Sequence, residues 1–242
     1  MECSTEAMTA RQPIIAIDGP AGAGKSTVTK QVAQKLGLLF LDTGAMYRAV
    51  TWAVLQAGIA PDDPTQVAAL LPDLHLRLRP PATPDQPTQV FVNDQEVTMA
   101  IRTAKVTGLV SVIAAQAAVR ETLVAQQQLM GQQGGVVMEG RDIGTKVFPD
   151  AEVKIFLTAT VTERARRRQT DLAQQGQPVP DLAELETSIA QRDEMDSNRA
   201  VSPLCQATDA TLLVTDGMTI PEVVDAIVEL YHSQTNRRSA ST

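Results

Sequence analysis

Two cysteines, Cys3 and Cys205, and two histidines are all that this chain of 242 residues offers to thiol or imidazole chemistry. The cysteines are too few and too far apart for a disulfide framework or a structural zinc site, and they fit a reducing compartment, so a cytoplasmic setting is expected. Aromatic residues make up 3% of the chain against 43% for hydrophobic residues overall, which predicts a sizeable, mostly aliphatic core. No window approaches 18 consecutive apolar residues, so no membrane span is expected. Basic residues are also short: 21 against 28 acidic ones give a net charge of −7. That balance disfavours broad contact with nucleic acid or an anionic membrane, and any anion must be held by a local cluster of cations. The opening residues, MECSTEAMTARQ, carry Glu2 and Glu6 and no apolar run, and they read as a loose tail over residues 1–12 rather than a secretory signal.

The strongest positive signal is the stretch IIAIDGPAGAGKST from Ile14 to Thr27. Gly19, Gly24, Lys25 and Ser26 stand at the fixed places of a phosphate-binding loop: Gly, four residues, then Gly-Lys-Ser. Glycines let the backbone curl so that its N–H groups point inward, and the following helix adds its positive end. Lys25 supplies a point charge for outer phosphates, and Ser26 is placed to put its hydroxyl on Mg²⁺. The flanks fit, since Ile14, Ile15, Ala16 and Ile17 form a short buried strand. Val28, Val32, Ala33 and Leu36 then recur at helical spacing up to Gly37.

Further along, Leu38 to Leu41 predicts a second strand that ends in Asp42. Thr43 is the expected cap of a helix that carries Tyr47 and Arg48 in its first turns. Ligands bind at the carboxyl ends of strands in open α/β sheets, so Asp42, Thr43, Tyr47 and Arg48 fall at the expected cleft; a solvated helix start is the bland alternative. A short helix runs from Pro64. Alternation at Leu74, Leu76 and Leu78, a proline-rich link from Pro80 to Pro87, and Val90 to Val92 with turn residues Asn93 and Asp94 then predict a small antiparallel insert over residues 72–100. Thr103 to Met130 is helical in period, as two helices, and includes Ser111 and Arg120, which spacing alone does not single out. A strand at Val136 to Met138 ends in Glu139, Gly140, Arg141 and Asp142. Another, Val153 to Leu157, leads to Thr160, whose capping box closes with Glu163. The helix it opens carries Arg164, Arg166, Arg167 and Arg168, which wind too far around it to face one ligand; a solvated face and a lid over phosphates both fit. Arg192, Asp196 and Arg199 recur at spacings of four and three, which sets them on one helix face as a site or as a surface ion-pair ladder. Residues 235–242 are expected to be a disordered tail.

The segments GPAGAGKST from Gly19, LDTGAMYRAV from Leu41, EGRDIGTKVFPDAEVKIFL from Glu139 and RDEMDSNRAVSPL from Arg192 together resemble bacterial cytidylate kinases, over nearly the whole span from Ile14 to Tyr231. The resemblance implies an α/β fold, a five-stranded parallel P-loop sheet flanked by helices, with a small antiparallel substrate-binding insert and a helical lid at 160–180, all in one kinase domain over 13–234. It implies that Gly19, Pro20, Ala21, Gly22, Ala23, Gly24, Lys25, Ser26 and Thr27 hold the phosphates of ATP, with lid arginines such as Arg164 and Arg168 joining Lys25, Arg141 and Arg199 at the transferred group. Ser111, Arg120 and Asp142 would recognise cytosine. Thr43, Arg192 and Asp196 would lie at the sugar, and Arg48, Arg141 and Arg199 at phosphate. Thr43 replaces a common serine, and Glu139 an aspartate found in some members. The implied reaction moves the γ-phosphoryl of Mg-ATP to CMP or dCMP in a monomer without nucleic-acid or membrane partners. The alternatives are another acceptor, such as UMP or AMP, or a nucleotide-dependent switch; the lack of an NKxD-type guanine motif speaks against the switch.

One preorganised charge on a transferring phosphoryl is worth several kcal/mol, so Lys25→Ala is expected to lower turnover by roughly a thousandfold or more. Steady-state kinetics on a variant shown by circular dichroism to be folded checks this; near-normal turnover would remove Lys25 from the role.

Overall fold

The structure is a computed structural model that describes residues 11–239 apart from 82, 84, 85 and 175. In chain order, β1 (Gln12–Asp18), α1 (Lys25–Leu36), β2 (Leu39–Asp42), α2 (Thr43–Gln56) and α3 (Pro64–Leu70) lead to three short strands, β3 (Leu76–Arg79), β4 (Gln89–Val92) and β5 (Gln95–Glu96). Then come α4 (Ala104–Ala114), α5 (Ala117–Gly131), β6 (Gly134–Gly140), β7 (Val153–Thr158), α6 (Val161–Gln174), α7 (Leu182–Asn198), β8 (Thr211–Val214) and α8 (Ile220–Ser239). β1, β2, β6, β7 and β8 form one parallel sheet in the order β2-β6-β1-β7-β8, and β3, β4 and β5 form a separate antiparallel sheet. This is the expected five-stranded α/β sheet with its antiparallel insert.

β1 shows why a parallel strand reads as a continuous apolar run. Ile15 and Ile17 pack with α1 and α8 through Val28, Val32, Val223 and Ile227, while Ile14 and Ala16 face Val136, Met138, Ile143 and Val147 on the other side. Alternate side chains leave opposite faces of a strand, so burial of both faces needs an apolar residue at every position. A further core joins α2, α4 and α5 to the insert through Met46, Val50, Val90, Val92, Ile113 and Leu123. α6 and α7 pack on each other through a small cluster of their own, Ala165, Leu172, Leu185 and Ile189. Asn93 and Asp94, both at positive φ, make the tight turn between β4 and β5.

Several local expectations change. Asp42, not Thr43, caps α2, its carboxylate accepting from the Ala45 N–H at 3.0 Å; Thr43 is already helical, and its hydroxyl donates to the Glu139 carbonyl at 2.7 Å. The capping box at Thr160 closes by half. Its hydroxyl accepts from the Glu163 N–H, but the Glu163 carboxylate pairs with Arg167, and the Thr160 N–H is taken by Asp216. α7 stops at Asn198, so Arg199, with extended backbone, leaves the helix face it was expected to share with Arg192 and Asp196. At the C-terminal end α8 continues to Ser239, so residues 235–239 are helical rather than a tail; 240–242, and 1–10 of the expected opening tail, lie outside the described residues. Among the described residues no single helix is long and apolar enough to cross a membrane.

Gly19 closes β1 at φ 151, and a Cβ there would stand 1.9 Å from the Leu157 carbonyl oxygen of β7. The two central strands can therefore approach only over a glycine. Gly19→Ala is expected to cost about 3 kcal/mol or more in chemical denaturation. Gly58→Ala, at φ 68 with open space around it, should cost only about 1 kcal/mol. Equal losses would mean that the approach to β7 is not the constraint.

Candidate active site

The loop after β1 is curled by positive φ at Gly19, Gly22 and Gly24. Gly24 is the N-terminal cap of α1 and brings no side-chain acceptor, so the first N–H groups of the helix are left for a ligand. Lys25 lies buried, its Nζ donating to the carbonyls of Gly19 at 2.8 Å and Pro20 at 2.7 Å. Burial and the nearby Arg141 hold its ammonium well below the ordinary lysine range. α6 brings two arginines to the same loop. Arg164 donates to the Ala21 carbonyl at 3.0 Å and pairs with Asp193 of α7 at 2.7 Å. Arg167 reaches the Ala23 carbonyl and binds Thr215 through both its hydroxyl and carbonyl oxygens. Of the arginine run, then, Arg164 and Arg167 touch the loop. Arg166 is exposed, and Arg168 lies beside Asp171 on its own helix.

Carboxylates stand on the other side of Lys25. Asp18, at the end of β1, accepts from the N–H groups of Ile143 and Gly144, both at 2.8 Å, and burial lifts its carboxyl to about 6. Glu139, at the end of β6, is paired in register with Asp42 of β2. Burial, with Asp42 adding to it, lifts Glu139 to about 7, although Lys25 and a hydrogen bond from Ser26 work the other way. Its Oε1 is buried without a partner. A serine hydroxyl and carboxylates, one with an unmatched buried oxygen, are a set that fits Mg²⁺, which takes one or two carboxylates and leaves the rest to phosphates and water. Among the described residues no group of three or more His, Cys, Asp and Glu side chains could hold a metal unaided, so the donor set is complete only with oxygens from a ligand.

Around these carboxylates a cluster of cations gathers within electrostatic reach of one another. Arg48 feels Arg102 and Arg141; Arg192 feels Arg141 and Arg48; Lys25 feels Arg141 and Arg192. Burial depresses the Arg48 guanidinium, and it brings Arg192, with Arg141 beside it, down to about 10. The Nε atoms of Arg48, Arg102 and Arg192 are buried without a hydrogen-bond partner. Guanidinium groups gathered so closely, each with a buried Nε that no acceptor meets, suit an anion. This is the local basic cluster that a net acidic chain requires.

Next to it is a second pocket. Arg120 and Asp142, both buried, form an ion pair; Arg199 approaches the other Asp142 oxygen at 3.6 Å, and Arg120 lies over the Tyr47 ring at 5.4 Å. Burial raises the Tyr47 phenol to about 12. Ser111 donates to Asp196 at 3.3 Å, and Arg141 binds the same carboxylate at 3.0 Å. Asp196 thus joins the two pockets through Ser111 and Arg141 rather than forming a surface ladder with Arg192 and Arg199. Arg199 sits with Arg120, Asp142 and Tyr47. Arg102 escaped the sequence reading, and Arg167 was named in the lid run without being singled out. The first precedes the helix cap Thr103 where the insert rejoins the core, a position that local spacing does not mark; the second was one of four arginines in a single turn.

A phosphate loop at the centre of a parallel sheet, with cations and a separate polar pocket beside it, is the arrangement of a P-loop kinase fold. A gluconokinase from Sinorhizobium meliloti 1021 shares this fold at TM-score 0.51 and 15% identity, over 96% of this chain and 99% of that one. The pattern of the cytidylate kinase family matches residues 15–233, and the chain belongs to that family. It is 62% identical over 224 residues to a bifunctional pantoate ligase/cytidylate kinase of Trichormus variabilis, covering 93% of this chain and 42% of that protein. A protein of the same description from Prochlorococcus marinus strain MIT 9303 is 59% identical over 227 residues, covering 94% and 46%. The chain therefore spans less than half the length of these curated relatives.

Glu139 carries a pH signature. Its folded value, near 7, lies above the ordinary 4.5, so the stability it lends is fully present below pH 4.5 and lost as the pH rises through 7. A glutamine titrates in neither state. Ligand-free Glu139→Gln should therefore match the parent near pH 4.5 and melt above it at pH 8, by up to about 3 kcal/mol. Thermal melts across that range check the difference, and a gap independent of pH would contradict the burial of this carboxyl.

Proposed function

We propose that this chain transfers the γ-phosphoryl group of Mg-ATP to CMP or dCMP, giving ADP and CDP or dCDP. The observation that carries the reading is the divergence of two consecutive residues at the end of β6. Arg141 joins the cations beside Lys25, while Asp142 closes a buried pocket with Arg120. A phosphate site and a polar pocket one residue apart suit a nucleoside monophosphate, phosphate in the first and base in the second.

In this reading the residues from Gly19 to Thr27 hold the phosphates of ATP, and Lys25 leaves the carbonyls of Gly19 and Pro20 to reach them. Ser26, Glu139 and Asp42 would hold Mg²⁺, which when bound would supply positive charge beside the transferring phosphoryl. Arg48 and Arg141, with Arg199 as expected from the resemblance, grip the acceptor phosphate and align it, and Arg192, expected at the sugar, stands among the same cations. No base is needed, because the attacking phosphate oxygen is already anionic at neutral pH, so positioning and charge supply most of the rate. Arg164, held now by the Ala21 carbonyl and Asp193, turns to the transferred group when the lid over 160–180, which α6 forms, closes; Arg168 is a second candidate for that contact. Asp196 and Thr43 lie at the sugar. The insert at 72–100 belongs to the same kinase domain over 13–234. A cytoplasmic, monomeric enzyme of pyrimidine nucleotide metabolism completes the proposal; cysteine usage supports the compartment, and the family the metabolic role.

The test is an ATP-coupled assay against CMP, dCMP, UMP and AMP. Cytosine offers an amino donor where uracil offers a carbonyl, so Asp142 should favour CMP. A buried group left unpaired by the wrong base discriminates by about 10⁴-fold, whereas shape alone rarely exceeds about 200-fold. CMP is expected to beat UMP by more than shape supplies, and Asp142→Asn to narrow the gap chiefly by damaging CMP. Equal kcat/KM for CMP and UMP in the native protein would refute the acceptor. ATP binding without turnover of any monophosphate would favour the switch.

A further inference from the structure

We propose that Arg102 is a binding residue for the acceptor phosphate, its guanidinium gripping that group together with Arg48. The assignment rests on the reading of this cleft as a monophosphate site and adds a residue to it.

Arg102 ends a tight turn, Ala100–Arg102, that closes the antiparallel insert. The turn is fixed from below and from both sides. Ile101 is fully buried in the core that includes α2 and α4; its N–H donates to the Val97 carbonyl at 3.0 Å, and the Arg102 N–H donates to Met99 at 3.1 Å. The next residue, Thr103, caps α4. A side chain on so anchored a base loses little further freedom when it binds, which favours a ligand contact over a loose surface charge.

The surroundings of this side chain ask for an anion. Its Nε is buried without a partner, as is that of Arg48, and the two cations lie within electrostatic reach of each other. Asp42 and Glu139 are the carboxylates near Arg48, but Asp42 also caps α2, and Glu139, lifted to about 7 by burial, is only partly ionised at neutral pH, so they do not fully offset the two guanidinium charges. Two like charges held together and partly out of water are stable only when a third group of opposite sign completes them. A phosphate dianion does so, because each planar guanidinium presents a fork of donors to its oxygens.

Position decides which phosphate. Arg102 acts on Arg48, the arginine that the proposed reading sets on the acceptor phosphate. Arg102, on the turn that closes the insert, is therefore assigned to that phosphate and not to the phosphates of ATP.

The experiment is calorimetric titration of the native protein, Arg102→Ala and Arg102→Lys with CMP and with cytidine, which lacks the phosphate. Arg102→Ala should weaken CMP by roughly tenfold to a hundredfold, the worth of charge-assisted hydrogen bonds, and leave cytidine unchanged. Arg102→Lys should recover part of the loss, and KM for CMP should rise while KM for ATP stays. The ligand-free melting temperature of Arg102→Ala should not fall, since a repulsion has been removed. Unchanged CMP affinity in Arg102→Ala, or a parallel loss for CMP and cytidine, would overturn the assignment and leave the kinase reading standing. A native protein that binds CMP no better than cytidine would overturn both.

Discussion

Positive charge crowded at the carboxyl ends of β1, β2 and β6 is the constraint to which the rest of the structure answers. Burial depresses Lys25, Arg48 and Arg192, and their cationic neighbours, Arg141 among them, add to the effect. Such a group costs free energy in the empty protein and returns it when an anion arrives. The core is what makes it affordable. Three parallel strands buried on both faces fix the strand ends, and Gly19 lets β1 approach the Leu157 carbonyl so closely that the loop has little room to shift. The acidic residues interleaved with the cations, Asp18, Glu139 and Asp196, hold the arrangement together without neutralising it.

What could be read from the sequence was what is local. The phosphate loop is legible because curl, charge and helix start follow one another within nine residues, Gly19 to Thr27, and the flanking strand and helix follow from apolar periodicity. The insert was legible from alternation and from Asn93 and Asp94. Asp42 was misjudged as a strand end alone because strand and cap coincide in one residue, with no loop between them to separate the roles. Arg199 was misplaced because spacing assumes that a helix continues, whereas α7 stops one residue earlier.

Contacts between distant segments left no such trace. Ser111 and Asp196 are 85 residues apart, Arg141 and Asp196 are 55 apart, and Arg164 is 143 from the loop carbonyl it binds. No periodicity spans those gaps, so the resemblance to a family, and not the residue pattern, brought Ser111 and Arg120 into the pocket. Arg102 lay beyond both routes. Its meaning comes only from a buried, partnerless nitrogen beside another arginine.

The contact of Lys25 with the carbonyls of Gly19 and Pro20 makes the empty loop its own ligand complex. A loop of small residues would ordinarily sample many shapes, and its first guest would have to freeze them all. Here an internal cation already clasps the curl, so an incoming polyphosphate meets a finished mould and has only to exchange one set of hydrogen bonds for another. The lysine that greets the nucleotide is also the peg that keeps its seat in shape, and the two duties alternate rather than compete.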